Sequence, residues 1–381
     1  MAAYALINLI FITAVLGVLW RLRVLRWDRA VWLTLTVLVV ATAVFDSLII
    51  QAGIVAYDDS LRSGIDIWQA PIEDFAYALL AAVMVPALWR YSKSVRCGID
   101  TLRVLVMTSR PISWINTAYP FALGYLLLGG SVDTHWLIGT LFFLVPYNLL
   151  MYGINDVFDY ESDIRNPRKG GVEGAVTPKA YHGIIIGASI GLSLPFVVAM
   201  TMLGTGASSA VLAILLFFVV AYSLKGLRFK EVPLLDSLTS SIHFVGPLVY
   251  AYVLMGAPPA AWWAALAFLS WGMASHALGA IQDIIPDRKA GISSIATVLG
   301  ARTTARLVLA LYVLAVGSTA SLGGWAWLVA AAAVLYVVNV APFVNIVDAR
   351  SGEARAAWKR FLWLNMIAGA AVTIASIMQF V

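Results

Sequence analysis

Two short acidic segments hold the residues best suited to chemistry. The first runs Asn155-Asp156-Val157-Phe158-Asp159-Tyr160-Glu161-Ser162-Asp163. On a continuous helix Asn155, Asp159 and Asp163 fall at i, i+4 and i+8 and share one face, with Asp156 beside Asp159 at i, i+3. Three carboxylates and an amide oxygen would converge there. Like charges at this spacing repel, so the face calls for something positive. Hard divalent cations take oxygen ligands, and Mg2+ typically uses one or two carboxylates while phosphates and waters fill the rest of its shell. The second segment, Gln282-Asp283-Ile284-Ile285-Pro286-Asp287-Arg288-Lys289, repeats the i, i+4 carboxylate pair. Pro286 has no N–H to give the carbonyl of Gln282, so the helix is expected to be disturbed there and another oxygen freed. Two aspartate pairs suit a two-cation site. The neighbouring Arg165, Arg168, Lys169, Lys225, Arg228 and Lys230 suit a polyanion, with diphosphate the natural candidate. The plain alternative is a set of solvated loop charges at helix ends.

These segments have to be positioned by membrane helices. Of the 381 residues 61% are apolar and 12% charged, against roughly 45 to 50% and about 25% in soluble domains. The mean hydropathy is +0.88. Long apolar runs predict twelve spans, near 3–20, 30–52, 73–89, 111–129, 136–153, 183–203, 208–224, 235–255, 260–281, 305–322, 325–347 and 361–380. With these spans, 24 of the 25 Lys and Arg residues fall in every second connection, and Arg62 alone lies opposite. The positive-inside rule makes the basic side cytoplasmic and puts both termini outside. Basic loops thus account for the net charge of +5 without nucleic acid as a partner. The single Cys97 excludes internal disulfides and multi-thiolate metal sites.

The expected fold is therefore all-α and polytopic, about twelve transmembrane helices in lipid, three before and nine after a basic linker. The division expected is residues 1–95, a linker at 96–110 and a nine-helix part at 111–381. The two acidic segments each follow a helix and open a cytoplasmic loop, with four helices between them.

Asn155 to Asp163 resembles the NDxxDxxxD motif of the UbiA-type intramembrane prenyltransferases, and Asp283 to Asp287 resembles their second DxxxD, with Gly291 and Leu299-Gly300 following as is usual. Tyr222-Ser223 with Arg228 and Lys230 is similar to the loop between those motifs. The resemblance implies that Asn155, Asp156, Asp159, Asp163, Asp283 and Asp287 bind Mg2+. It implies too that Arg165, Arg168, Lys169, Tyr222, Arg228 and Lys230 hold a diphosphate, and that an isoprenoid group passes to an acceptor. An allylic cation needs a dry cavity, and a bundle rich in Phe, Tyr and Trp offers one with stabilising ring faces.

Residues Pro71-Ile72-Glu73-Asp74-Phe75-Ala76-Tyr77 set adjacent carboxylates where the third helix begins. Proline at a helix start with acids in its first turn is also a plain capping pattern. The motif closely resembles the PxE(E/D) signature of heterodimer-type carotenoid cyclase domains, which are small three-helix membrane units. That resemblance implies Glu73 as the acid acting on a polyene, with Asp74 its partner. Asp46 within the second helix is a further candidate. Such cyclases generally use two units, so a second cyclase subunit is an expected partner.

The combination is similar to fused lycopene elongase and C50 carotenoid cyclase-subunit proteins. It implies transfer of C5 groups from dimethylallyl diphosphate to lycopene in the cell membrane, with the transferase site on the cytoplasmic side. The alternatives are a quinone, haem or chlorophyll-type prenyltransferase and, in another class, a twelve-helix transporter. His276, seven residues before Asp283, and His243 are intramembrane ionisable residues, read either as functional groups or as helix–helix hydrogen bonds.

Overall fold

The computed structural model describes residues 3–379 apart from 22, 24, 54, 56, 58–61, 95–98 and 165–176, with the side chains of 3, 88–94, 99–100 and 162–163 also outside the description. The chain divides into two compact units, residues 1–103 with 376–381, and residues 104–375.

The first unit holds α1 (Ala3–Arg21), α2 (Arg29–Gln51) and α3 (Phe75–Ser94). Asp28 caps α2 by accepting from the Val31 N–H at 3.0 Å, which satisfies one of the donors every helix start leaves free. The three helices meet at a small core of Leu19, Val31, Val83 and Ala87. Before α3 the chain forms a two-residue antiparallel pair, β1 (Asp66–Ile67) with β2 (Ala70–Pro71), a small exception to the all-α expectation. Gln69 N–H donates to Ser47 Oγ at 3.1 Å and Asn8 Nδ2 to the Glu73 carbonyl at 2.7 Å, which ties this hairpin to α2 and α1.

Between the units, residues expected to be an irregular linker form α4 (Ile99–Thr108). The second unit then contains α5 (Pro111–Leu127), α6 (Thr134–Leu144), α7 (Pro146–Phe158), the single-turn α8 (Tyr160–Asp163), α9 (His182–Leu203), α10 (Gly206–Ser223), α11 (Leu235–Met255), α12 (Trp262–Ile281), α13 (Ile284–Ala290), α14 (Ile295–Ala320), α15 (Ala326–Val340) and α16 (Arg355–Ile377). Ten helical stretches among the described residues are long and apolar enough to cross a membrane. The twelve spans of the sequence reading add α3 and α5.

One expected span, 136–153, is split. Pro146 interrupts the run, so α6 stops at Leu144 and α7 restarts at Pro146. Carbonyls freed in a membrane interior would cost several kcal/mol each if left bare. Asn148 prevents this, donating from Nδ2 to the carbonyls of Phe143 at 2.9 Å and Leu144 at 3.0 Å.

Three cores lie in the second unit, two large and a smaller one of Val245, Leu248, Tyr252 and Ala265 between α11 and α12. Phe121, Phe142, Phe143, Tyr147 and Tyr250 form an aromatic cluster where α5, α6, α7 and α11 meet. Trp271, Tyr312, Tyr336 and Phe361 join α12, α14, α15 and α16. Lipid tails are as apolar as these side chains, so close packing rather than exclusion of water holds the helices together. Gly153 shows how close: a Cβ there would lie 2.8 Å from Ile185 Cγ2 and 2.9 Å from Ser189 Oγ, so glycine lets α9 seat against α7 beside the first acidic segment.

Candidate functional site

The first acidic segment does not keep one helical face. α7 ends at Phe158, Asp159 is its C-cap, and the chain restarts as α8. The i, i+4, i+8 alignment therefore breaks at Asp159, and among the described residues no three of His, Cys, Asp and Glu come together as a metal-holding group. Asp156 and Asp159 instead each meet a cation of their own. Asp156 is buried and accepts from Arg110 Nη2 at 2.9 Å. Asp159, also buried, accepts from Lys230 Nζ, with Arg228 Nη2 at 3.9 Å. Asn155 Oδ1 accepts from Ser223 Oγ at 2.9 Å. Asp163 lies in α8, and its side chain is outside the described residues, as are Arg165, Arg168 and Lys169.

The cations arrive through unusual backbone. Arg110 has φ +51 and precedes Pro111, so α5 begins abruptly and the arginine turns toward α7. Its guanidinium lies 4.1 Å from the Tyr152 ring centroid, a cation–π contact, and the Tyr152 hydroxyl donates to Ser113 Oγ at 3.0 Å. Arg228, with φ +39, starts the turn that carries Lys230 and also pairs with Glu231. Burial pushes the Lys230 ammonium down to about 8, against the opposing pull of Glu231 and Asp156.

At the second segment the disturbance expected from Pro286 is present. α12 stops at Ile281, and Asp283 is the N-cap of α13, which carries Asp287 and ends at Gly291 with φ +71. Arg288 donates to the Thr297 carbonyl at 2.7 Å and to Asp348 Oδ2 at 2.6 Å, while Asp348 Oδ1 accepts from the Ala301 N–H at 2.7 Å. Gly300, φ +75, brings that backbone within reach of Asp348. The loop after the segment is thus tied at both ends.

A chain of side chains leads from one segment toward the other. Ser223 holds Asn155, and the preceding Tyr222 places its hydroxyl 3.5 Å from His276 Nε2 on α12, two turns before Asp283. Asp236, fully buried at the start of α11, accepts from the N–H groups of Ser237 at 2.6 Å and Ile295 at 2.7 Å, so it ties α11 to the start of α14. Arg110, Tyr152 and Asp236 were missed by sequence reasoning. Arg110 was counted only as a topological charge, and Arg-Pro at a helix start was the signal that could have marked it.

The residues fit Mg2+. Its preferred donors are carboxylate and amide oxygens, and Asn155, Asp156, Asp159, Asp283 and Asp287 supply them with Arg110, Arg228 and Lys230 beside the first three.

The first unit contains its own pair. Glu73 and Asp74 are both buried in the turn before α3. Glu73 Oε1 accepts from the Ser63 N–H at 2.6 Å, while Oε2 is buried without a hydrogen-bond partner. Asp74 Oδ2 accepts from the Tyr57 hydroxyl at 2.7 Å. Burial raises the Glu73 carboxyl, but the Ser63 hydrogen bonds and Arg62 outweigh it and leave Glu73 below the usual glutamate range. Burial raises Asp74 as well, and although Tyr57 lowers it, the Glu73 charge adds to the rise and Asp74 ends above the usual range. The resemblance implied Glu73 as the acid, with Asp74 its partner; the carboxyl held above its usual range is Asp74. Glu73 lines an apolar groove of about 400 Å3 with Asn8, Ile12, Leu35, Val39 and Leu79.

Comparison with known proteins finds two family matches. Residues 117–365 match the UbiA prenyltransferase family and residues 2–92 match Lycopene cyclase. A Dietzia sp. (strain CQ4) protein named C(50) beta-cyclic carotenoids biosynthesis protein LbtBC is 47% identical, covering 93% of this chain and 92% of that protein. A Corynebacterium glutamicum protein named Lycopene elongase/hydratase is 52% identical over 72% of this chain and 96% of its own length. Among solved structures, a digeranylgeranylglyceryl phosphate synthase in membranes has a TM-score of 0.56 at 17% identity, covering 73% of this chain and 99% of that one. A UbiA homolog from Archaeoglobus fulgidus bound to GPP and Mg2+ has a TM-score of 0.53 at 18% identity, covering 72% and 98%. These two share the fold, and with the run of apolar helices they make this a membrane protein.

Proposed function

The chain belongs to the UbiA prenyltransferase family, and from that premise we propose that it transfers dimethylallyl (C5) groups from dimethylallyl diphosphate to the ends of lycopene, making C45 and C50 carotenoids. Similarity along nearly the whole length to a protein named for C50 cyclic carotenoids carries this reading. The similarity of the larger part alone to a lycopene elongase/hydratase supports the same acceptor.

Asn155, Asp156, Asp159, Asp163, Asp283 and Asp287 would hold Mg2+, with a neighbour that binds GPP and Mg2+ in the same fold as support. Bound there, the metal supplies positive charge that stabilises the leaving diphosphate. The chain's own cations do the rest. Arg110, Arg228 and Lys230, which lie against Asp156 and Asp159, exchange carboxylate for phosphate oxygens as the diphosphate enters, with Arg165, Arg168, Lys169 and Tyr222 completing the grip. Arginine's planar fork suits bidentate phosphate contact. The allylic C–O bond then breaks with its electron pair leaving on the diphosphate, and the terminal double bond of lycopene attacks the C5 cation. Helices packed with aromatic rings exclude the water that would quench it.

Residues 1–95 serve as one subunit of a C50 carotenoid cyclase, 96–110 connect, and 111–381 form the transferase. Within the first part Glu73 and Asp74 act as a pair, and the opposed shifts favour Asp74 as the carboxyl that keeps its proton. A second cyclase subunit completes the site; α1 and α2, few of whose residues are buried within the chain, support a partner as well as lipid contact. The protein spans the cell membrane twelve times with both termini outside and the transferase site cytoplasmic, as the distribution of Lys and Arg supports. Expression in a lycopene-producing host tests the reading. C45 and C50 carotenoids are expected, and unchanged lycopene in the presence of intact protein overturns it.

A further inference from the structure

Electron bookkeeping of the proposed transfer leaves one proton unassigned. When the double bond of lycopene attacks the C5 cation, a C–C bond forms and the positive charge moves to the tertiary carbon that bears the two terminal methyls. Where the cation is resolved by elimination rather than by water capture or ring closure, an adjacent C–H gives its electron pair to a new C=C and its proton to a base. The aspartates and cations grip the diphosphate, so the base is sought among the polar groups that border that grip, next to Tyr222.

His276 lies on α12, seven residues before Asp283 in sequence and five before the helix ends at Ile281. Its Nδ1 is 3.0 Å from Ser237 Oγ and its Nε2 is 3.5 Å from the Tyr222 hydroxyl. With Nδ1–H donating to Ser237, the lone pair rests on Nε2, and a 3.5 Å contact is at the outer limit of a hydrogen bond. Nε2 is thus loosely engaged. Asp236, next to Ser237, acts electrostatically on His276 and gives a developing imidazolium a counter-charge. His276 and Tyr222 are half-buried residues, and Tyr222 packs edge-on against His243 with centroids 5.2 Å apart. A histidine that only tied helices together would have both nitrogens engaged at ordinary lengths.

We propose that His276 is the base that ends the transfer, its Nε2 accepting the proton from the tertiary carotenoid cation while Ser237 and Asp236 hold the imidazole in position. The inference rests on the elongase reading. It predicts a defined site of proton loss and hence a single position for the new double bond.

The test uses the full chain in membranes with dimethylallyl diphosphate and lycopene, and compares wild type with His276→Gln. The variant should still release diphosphate, while elongated alkene falls at least about tenfold, as for a lost general base. What remains should shift to hydrated products or other double-bond positions. With lycopene deuterated at its terminal methyls, the wild-type preference for removing H over D should change in the variant. Unchanged yield, double-bond position and isotope preference overturn the proposal, and so does loss of diphosphate release in step with product, which would mark His276 as a binding residue. Should His276→Gln fail to accumulate, Ser237→Ala carries the same test, with the product shift expected and an unaltered product pattern overturning it. A wild type that makes no elongated carotenoid removes the underlying reading, and this inference with it; an active wild type matched by its variants removes this inference alone.

Discussion

Arg110 Nη2 donates to Asp156 Oδ1 at 2.9 Å, joining the residue that opens α5 to the first aspartate segment on α7. The pair is sequestered, with 18% of the arginine side chain and 1% of the aspartate side chain exposed. A cation held this close to a metal-ligand candidate serves the diphosphate when it binds. Arg110→Ala should lower kcat/KM for dimethylallyl diphosphate by about a hundredfold, or about 2.7 kcal/mol. Arg110→Lys should recover part of the loss, because it restores the charge but neither the fork nor the stack on Tyr152. Product formation against diphosphate concentration measures both.

Asp156→Asn, Asp159→Asn and Asp283→Asn should each abolish transfer while leaving protein in the membrane. Neutralising a carboxylate removes a hard oxygen donor without changing side-chain size. Chelation with EDTA should do the same to the wild type, and added Mg2+ should restore it. Carotenoid product assayed with immunoblotting decides; a variant with retained activity removes that aspartate from the metal assignment.

Gly153 sets the seat of α9 against α7, three residues before Asp156. Gly153→Val should destabilise the protein by about 1–3 kcal/mol, the usual cost of overpacking, and lower transfer by displacing α7. Gly183, where a Cβ meets nothing within 4 Å, provides the control. Gly183→Ala should leave both thermal midpoint and product near wild type.

How much of this was legible beforehand depended on what each feature needed. Helices such as α10 and α11 lay within a residue or two of their apolar runs, because membrane length and composition fix them. The α6/α7 break was hidden, since Pro146 sits in an unbroken apolar stretch and the interruption is made tolerable by Asn148, folded back, and by Thr117 on α5. α14 begins at Ile295, about ten residues before the expected span, because Arg302 and Arg306 read as loop. The aspartates, Arg228 and Lys230 could be singled out from type and position, but not Arg110, nor which cation meets which aspartate. Arg110 is 46 residues from Asp156 and Lys230 is 71 from Asp159, separations no local pattern encodes.

The Glu73–Asp74 pair makes pH predictions of opposite sign. A raised Asp74 contributes stability fully below its ordinary 3.8 and loses it as pH rises through the raised value. A lowered Glu73 contributes stability above its ordinary 4.5 and loses it as pH falls through the lowered value. Asp74→Asn should therefore raise the thermal midpoint at pH 7, with the gain vanishing in acid. Glu73→Gln should lower the midpoint at pH 7, with the deficit shrinking in acid. Thermal melts in detergent across that range read both signs.

The groove beside Glu73 allows the two proposed activities to be tested apart. None of the aspartates assigned to diphosphate chemistry belongs to the first unit, and Glu73 Oε2 is buried there with no hydrogen-bond partner among the described residues, so on the proposed division its removal takes away a group that ring closure alone would use. Glu73→Ala should keep C45 and C50 acyclic products within about twofold of wild type, the independence expected of sites with no shared partners. Co-expressed with a second cyclase subunit, the same variant should yield no cyclic C50 product where the wild type does. Asp74→Asn should do likewise if the protonated carboxyl initiates closure, and retained cyclisation there would return that role to Glu73. A loss of elongation in Glu73→Ala with protein intact would mean the two parts do not work separately, because the transferase would then depend on a carboxylate that has no place in its chemistry.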